Sequence, residues 1–306
     1  MSNQPKITII GAANIDLIGY PKEKLIYKDA NIGTLETILG GVGRNIAENL
    51  SRLGFKVEFL SVFGKDDFSK KIIESCIELD ISTKYCTFNE NCSTSVFMAI
   101  LDNQNDLALG LTAMNIFNDI PDSFILNNLN IIGQNDYCVL ETNLPTRILE
   151  LVTNELPNTH FALDAVSGKK ALKAKTILNK ITILKCNLLE AELLSGIKVN
   201  DESGYRDLIM HFIDLGVKKV FISLGKNGVV YGDTKGFYKI DIDFIKPVNT
   251  IGAGDSFMAG LLYGELQKFN IHKMVQFANA CAGITIQNKN TVNPEINEKL
   301  ILKIIS

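Results

Sequence analysis

The sequence predicts an α/β fold with a mostly parallel sheet, helices on both of its faces, and a small β-sheet projecting from the main body. Short apolar runs alternate with stretches of helical spacing, and the rhythm recurs in the second half of the chain. Over residues 17–39 and 82–113 that rhythm breaks, and strand follows strand.

In chain order, "KITIIGAANID" reads as a buried strand. "GRNIAENLSRLG" follows as a helix, with Ile46, Leu50 and Leu53 at helical spacing and Gly54 as its stop. "KVEFLSVFG" reads as a second strand, and "DDFSKKIIESCIELD" as a helix whose acidic opening suits its positive end. In the second half "YCVLETNL", "HFALDAV", "ITILKCN" and "KKVFISLG" read as strands. "PTRILELVTNEL", "SGKKALKAKTILNK", "LLEAELLSG" and "ESGYRDLIMHFIDLG" read as the helices between them. In the second irregular stretch "STSVFMAILD" and "DLALGLTAM" flank the polar turn "NQN". Both irregular segments leave the core and return to it, as a lid over a site would; a plain edge hairpin is the alternative.

The chain has 306 residues, 46% hydrophobic and 21% charged, which suits a single domain over 1–306 with a sizeable core. The formal charge is −3 and no basic stripe appears, which argues against nucleic acid as the main partner. The six cysteines form no CxxC pair and no pattern with the three histidines, so reduced, buried thiols are expected rather than a zinc site. The first residues lack a leader-like apolar run and no segment has the length to span a bilayer. A cytoplasmic enzyme without membrane contact is the expectation.

Three glycine clusters bear on chemistry. "LGGVGRN", residues 39–45, is neither a P-loop nor a full dinucleotide fingerprint. It joins a tight turn at Gly41 to a helix with Asn45 in its first turn, which serves either as a capped helix start or as a receiver for a hydroxyl or anion. "GAANID" ends the first strand, where ligands of parallel sheets sit. Asn14 and Asp16 point the same way there and suit neighbouring hydroxyls, although turn chemistry also explains them. In "NTIGAGDSFMAG", Gly252, Ala253 and Gly254 bring backbone N–H groups together at a helix start. That arrangement suits charge developing on a phosphoryl group. Asp255 is placed to orient a hydroxyl and take its proton, and at a helix start its pKa is expected to be lowered. A plain helix cap is the alternative.

Weaker signals lie between these clusters. Asn187 follows a strand, and Glu190, in the first turn of the next helix, could organise hydrated Mg²⁺ near phosphates. "SLGKNG", with Ser223, Gly225 and Gly228, is either a nucleotide-facing turn or a hairpin. "FANACAG" admits a flat ring beside Asn279, or else packs closely on another helix. Glu141 ends the strand "YCVLET".

In their order and distance, "GAANID", "GGVGRNIAENLSRLG", "CNLLEAELL" and "NTIGAGDSFMAG" resemble the ribokinase-like (PfkB-type) sugar kinases over nearly the whole chain. Within that family, "GGVGRNIAENL" with Arg44 and Glu48, "VLETNLP" and "LKCNLLEAELLSG" look like the pseudouridine kinase subgroup. The resemblance implies a Rossmann-like three-layer α/β/α core with a β-lid, and ATP-dependent phosphorylation of a ribosyl primary hydroxyl. It makes Asp255 the base and Gly252, Ala253 and Gly254 the anion hole. It assigns Asn14, Asp16, Gly41 and Asn45 to the ribose side and Glu141 to the ribose or the metal-bound phosphates, with lid residues Ser93, Thr94 and Thr112 toward the base. Asn187, Ser223, Gly225, Gly228 and Asn279 fall to the nucleotide, and Glu190 to Mg²⁺.

The chain also departs from the pattern. Asn249 stands where many ribokinases carry an Asp of a monovalent-cation site, so potassium activation is left open. "LDAVSGKK" and "KCN" replace the subgroup's Asp-Pro and Pro-Asn, which bears on the exact substrate. Ribokinase or fructokinase activity is the alternative within the family. A nucleoside-binding sensor is the non-enzymatic one, and an NAD-dependent enzyme lacks its fingerprint. An exposed β-face on the lid implies a homodimer through it.

Overall fold

A computed structural model describes residues 5–104, 106–242 and 245–306. Asn105, the last residue of the Asn-Gln-Asn turn, and the first four residues of the N-terminal reading lie outside the described residues. The strands of the first half are β1 (Lys6–Ile10), β2 (Asn14–Pro21), β3 (Gly33–Gly40), β4 (Lys56–Leu60), β5 (Val62–Gly64), β6 (Ile81–Ser82), β7 (Thr87–Asn89), β8 (Val96–Leu101) and β9 (Leu107–Ala113). Those of the second half are β10 (Tyr137–Glu141), β11 (Phe161–Asp164), β12 (Ile181–Asn187), β13 (Lys219–Ser223), β14 (Val229–Asp233) and β15 (Gly236–Ile240).

The main sheet runs β15-β14-β13-β12-β11-β10-β1-β4-β6. It is parallel from β13 to β6, with an antiparallel hairpin, β14 and β15, at one edge. From β1 the chain winds outward to β4, and from β10 it winds the other way. The strand order therefore reverses between β1 and β10, where open α/β sheets hold their ligands.

Alternation along the strands builds two cores. Val139, Ala162 and Ile183 pack toward helices Val42–Arg52, Ala253–Leu266 and Ile271–Thr285. Cys138, Leu140, Leu163 and Leu184 pack toward Thr146–Glu155, Leu188–Ser195 and Glu202–Asp214. Two residues beyond Val139, Ala162 and Ile183 come Glu141, Asp164 and Lys185, on the face of helix Ala253–Leu266. The parallel register sets Glu141 beside Asp164 and Asp164 beside Lys185. Three charged side chains thus stand in one row at the carboxyl end of the sheet.

A separate four-stranded sheet, β3-β2-β8-β9, forms the projection. It draws on 14–40 and 96–113, so the expected second segment, 82–113, was too wide. β6 joins the main sheet and β7 pairs with β5 instead. "KVEFLSVFG" is two strands, because the chain leaves the main sheet after Leu60 to make that second pairing. "SGKKALKAKTILNK" is only briefly α-helical, over Gly168–Ala171, followed by 3₁₀ turns. Its buried positions Ala171, Ala174 and Ile177 recur every third residue, the period of 3₁₀ winding. "SLGKNG" is the tight connection of the antiparallel β13–β14 hairpin, the second of its two readings. All six cysteines are free thiols.

Candidate active site

The two glycine clusters of the first half pack onto each other. Gly41 has φ 100°, and a Cβ there would lie 2.5 Å from the Ala12 carbonyl oxygen. The Arg44 amide donates to that same carbonyl at 3.1 Å. The helix Val42–Arg52 therefore begins against the β1–β2 junction, and this contact aims Asn45 across the site. Asn45 Nδ2 donates to Asp255 Oδ2 at 2.8 Å. Thr291, which the sequence reading missed, donates to Asn45 Oδ1 at 3.4 Å.

Asp255 lies in the first turn of helix Ala253–Leu266 and is buried. Gly252 before it is left-handed, with φ 84°, and a Cβ would collide with the Thr291 carbonyl. Among the described residues the amides of Gly252, Gly254 and Asp255 have no acceptor, whereas the Ala253 amide is turned to the Thr250 carbonyl at 3.4 Å. The free amides are therefore those of Gly252, Gly254 and Asp255, rather than the run 252–254.

The expected lowering of the Asp255 pKa is overturned. Burial pushes it up to about 7, and Asp164 and Glu141 add to the rise. Lys185 and the Asn45 hydrogen bond oppose it without prevailing. Withdrawal from water outweighs the helix end, whose favourable field amounts to about 1 kcal/mol at exposed positions.

Lys185 is buried and donates to Asp164 Oδ2 at 2.9 Å. Burial alone would lower its pKa, but Asp164, Asp255 and Glu190 reverse the sign and push it up. Asp164 Oδ1 also accepts the Val166 amide at 2.9 Å. The sequence reading passed over both residues. Their signal was a charge inside the apolar strands "FALD" and "ITILKCN", since such charges are seldom buried unless paired.

Glu141 is fully buried, with its oxygens bonded to the Ala12 and Asn143 amides, both at 2.6 Å. Burial pushes it up to about 7. Both its oxygens bond to main chain, so it braces the β1–β2 junction. Asn14 Nδ2 donates to Asp16 Oδ1. Burial pushes Asp16 up to about 6, against the Asn14 bond and the Arg44 charge. Arg44 forms a buried ion pair with Glu48 at 2.8 Å, which Arg52 also joins at 2.7 Å.

Thr112 shares a register row and a face of the small sheet with Phe97 and Asp16. Thr94 is occupied differently. Its hydroxyl donates to Asp66 Oδ1 at 2.8 Å and accepts from the Gly64 amide at 3.0 Å, so it fastens the entry to β8 onto a helix cap. Ser93 beside it is exposed. Asn187 and Glu190 form a reciprocal capping box on helix Leu188–Ser195, and burial raises the Glu190 pKa. No group of three or more His, Cys, Asp or Glu is arranged to chelate a metal among the described residues. Yet Asp164, Glu190 and Asp255 act on Lys185, with Glu141 acting on Asp255, and that excess of acidic groups suits a hydrated Mg²⁺ bound mainly through phosphates.

Among the described residues, the remaining expected nucleotide residues make no hydrogen bond with this cluster. Ser223 Oγ donates to the Cys186 carbonyl at 3.5 Å, and Gly225 and Gly228 belong to the hairpin turn. The Asn279 side-chain nitrogen is buried without a hydrogen-bond partner. In the same helix, Ala278 and Cys281 lie where a Cβ on Gly260 would intrude, so "FANACAG" does pack closely on its neighbour.

The pfkB family carbohydrate kinase model matches residues 4–298. The chain belongs to the PfkB family of carbohydrate kinases. This PfkB kinase is 30% identical to the pseudouridine kinase of Escherichia coli, covering 100% of this chain and 98% of that one. It is 25% identical to the ribokinase of Haemophilus influenzae over 92% of each. Its fold matches Arabidopsis thaliana ribokinase complexed with ribose and ATP, with a TM-score of 0.88 at 21% identity over 99% of both chains.

The raised carboxyls set a pH dependence for the PfkB kinase's stability. A carboxyl whose pKa rises on folding takes up a proton as the protein folds. Its stabilising contribution is complete below the unfolded pKa and is lost as pH rises toward the folded value. For Asp255 that window runs from 3.8 to about 7. Asp255→Asn is expected to match the wild type in urea melts near pH 4 and to exceed it by about 1–3 kcal/mol at pH 8.

Proposed function

We propose that this PfkB kinase transfers the terminal phosphoryl group of ATP to the ribosyl 5′-hydroxyl of pseudouridine, giving pseudouridine 5′-phosphate and ADP. The observation that carries the reaction type is the buried Asp255, bonded to Asn45 and standing beside three amides without acceptors. The full-length similarity to a pseudouridine kinase supports the choice of nucleoside. So does the buried Arg44–Glu48 pair, which belongs to the segment typical of that subgroup.

The 5′-hydroxyl lies against Asp255, held by Asn45, while Asn14 and Asp16 take the ribose hydroxyls. Ionised Asp255 accepts the hydroxyl proton as the oxygen–phosphorus bond forms. The bond from that phosphorus to the bridging oxygen breaks, and its electron pair leaves with ADP. The Gly252, Gly254 and Asp255 amides receive the charge that builds on the phosphoryl oxygens. Mg²⁺, held on the phosphates and through water by Glu190, would neutralise phosphate charge. A base with a pKa near 7 is matched to neutral solution, being about half ionised there and a competent proton acceptor. Gly41 lets the helix approach the ribose, and Glu141 braces the junction that bears Asn14. Asn187, Ser223, Gly225, Gly228 and the unpaired Asn279 amide are assigned to the nucleotide, and Thr112 to the base end.

Potassium is not required in this reading. Asn249 Nδ2 donates to the Lys289 carbonyl at 2.9 Å, so an uncharged amide stands where the family pattern has an Asp and already ties the two segments together. The small sheet closes over the nucleoside and pairs with a second copy of this chain. Leu35, Leu107, Leu109 and Leu111 share its outer face, each about 60–70% exposed, an apolar surface that needs cover. A cytoplasmic location fits the free thiols.

ATP turnover is measured side by side with pseudouridine, uridine, ribose, adenosine and fructose, in sodium and in potassium buffers. Pseudouridine is expected to give the highest kcat/KM, with no change between the cations. A free sugar in first place reassigns the substrate. Asp255→Asn is expected to lower kcat by about 10³-fold or more, and near-normal turnover would remove its role as base. Light scattering at working concentration is expected to give a dimer mass, reduced to the monomer's by Leu109→Asp; a wild-type monomer removes the lid interface.

A further inference from the structure

Lys185 stands where simple electrostatics would not put a cation. A Cβ built on Gly254 would lie 2.5 Å from its Nζ, so the ammonium rests against the first turn of helix Ala253–Leu266. That end of a helix carries partial positive charge and favours anions. The side chain is 9% exposed. Asp164 Oδ2, at 2.9 Å, is its only acceptor among the described residues. An ammonium has three N–H donors. Two are therefore without an acceptor, beside backbone amides that also have none.

Two buried donor groups of the same sign thus face one small region. An anion between them satisfies both at once. We propose that Lys185 contacts the terminal phosphoryl group of ATP together with the amides of Gly252, Gly254 and Asp255, and that Asp164 is the positioning residue that holds it there. The assignment rests on the kinase reading but not on the identity of the nucleoside. It goes beyond ground-state binding, because negative charge on the transferred group is shared among its equatorial oxygens during transfer. A buried ammonium already in place stabilises that charge without rearrangement. The nearby carboxylates keep Lys185 protonated, so it contributes charge rather than accepting the hydroxyl proton.

A purely structural role predicts a different pattern. A buried pair that only neutralised two strands would stabilise the fold without distinguishing a nucleoside triphosphate from a diphosphate. Lys185→Met is the test variant. Lys185→Met/Asp164→Asn accompanies it, so that no unpaired carboxylate is left buried. Titration calorimetry compares ADP with the non-hydrolysable imido analogue of ATP, both with Mg²⁺ and without nucleoside. ADP affinity is expected to stay within about twofold of wild type, while the analogue's advantage over ADP falls about tenfold or more, as for loss of a charge-assisted contact. On the substrate the panel favours, kcat is expected to fall about 10²–10³-fold with little change in the nucleoside KM, and Lys185→Arg to recover part of it. Where the single variant fails to fold, the double variant decides. An unchanged preference for the triphosphate analogue overturns the proposal. So does loss of ADP affinity in the folded double variant, because the contact would then not be with the terminal group.

Discussion

The site is organised around a carboxylate withdrawn from water at the positive end of a helix. Exposed, Asp255 would be an ordinary weak base stabilised slightly by the dipole. Buried, with Asp164 and Glu141 acting against its charge, it holds a proton up to about neutral pH. Lys185 and the Asn45 amide resist that shift. The row of Glu141, Asp164 and Lys185 on adjacent strands therefore tunes Asp255. Two of the three are acids and one is a base, and at Asp255 burial and the acids outweigh the base.

Backbone packing makes that balance possible. Asn45 and Asp255 are 210 positions apart in sequence, and their hydrogen bond forms only when both glycine motifs reach the carboxyl edge of the sheet. Gly41 allows one helix to start against the β1–β2 junction, and Gly252 lets the other start under the Thr291 carbonyl. A side chain at either position would push the helix ends apart and separate Asp255 from the Asn45 amide. Gly254 has a different task, because its missing side chain is the space that the Lys185 ammonium fills. The small sheet adds Asp16 on β2, continuous with the β1 junction, so the same segment anchors the fold and carries the residue proposed for the ribose.

Much of this architecture was legible in the sequence, for identifiable reasons. The parallel strands announced themselves as apolar runs, and Gly54 and the acidic pair Asp66 and Asp67 marked helix boundaries by turn chemistry and by charge at the positive end. The glycine motifs showed where backbones must approach closely. The pKa of Asp255 was not legible, because a helix-start rule describes a solvated end and the sequence does not reveal burial or the acids on neighbouring strands. Lys185 and Asp164 were overlooked for a related reason. Each lies on a different strand, and only the parallel register makes them neighbours. Thr94 looked available for recognition, but its partner Asp66 comes from a helix cap almost thirty residues earlier. The 3₁₀ segment after Gly168 was read as a full helix because lysine and alanine favour one, whereas its buried positions follow a period of three.

The account stands on the protonation state of one side chain. Selective ¹³C labelling of aspartate carboxyls, with Asp255→Asn to assign the resonance, allows its titration to be followed directly by NMR. A midpoint of about 7 for Asp255 in the protein alone is the predicted result. A midpoint near 4, the value of an aspartate in water, would mean that the carboxylate is solvated, and would contradict the account of how this site holds and moves its proton.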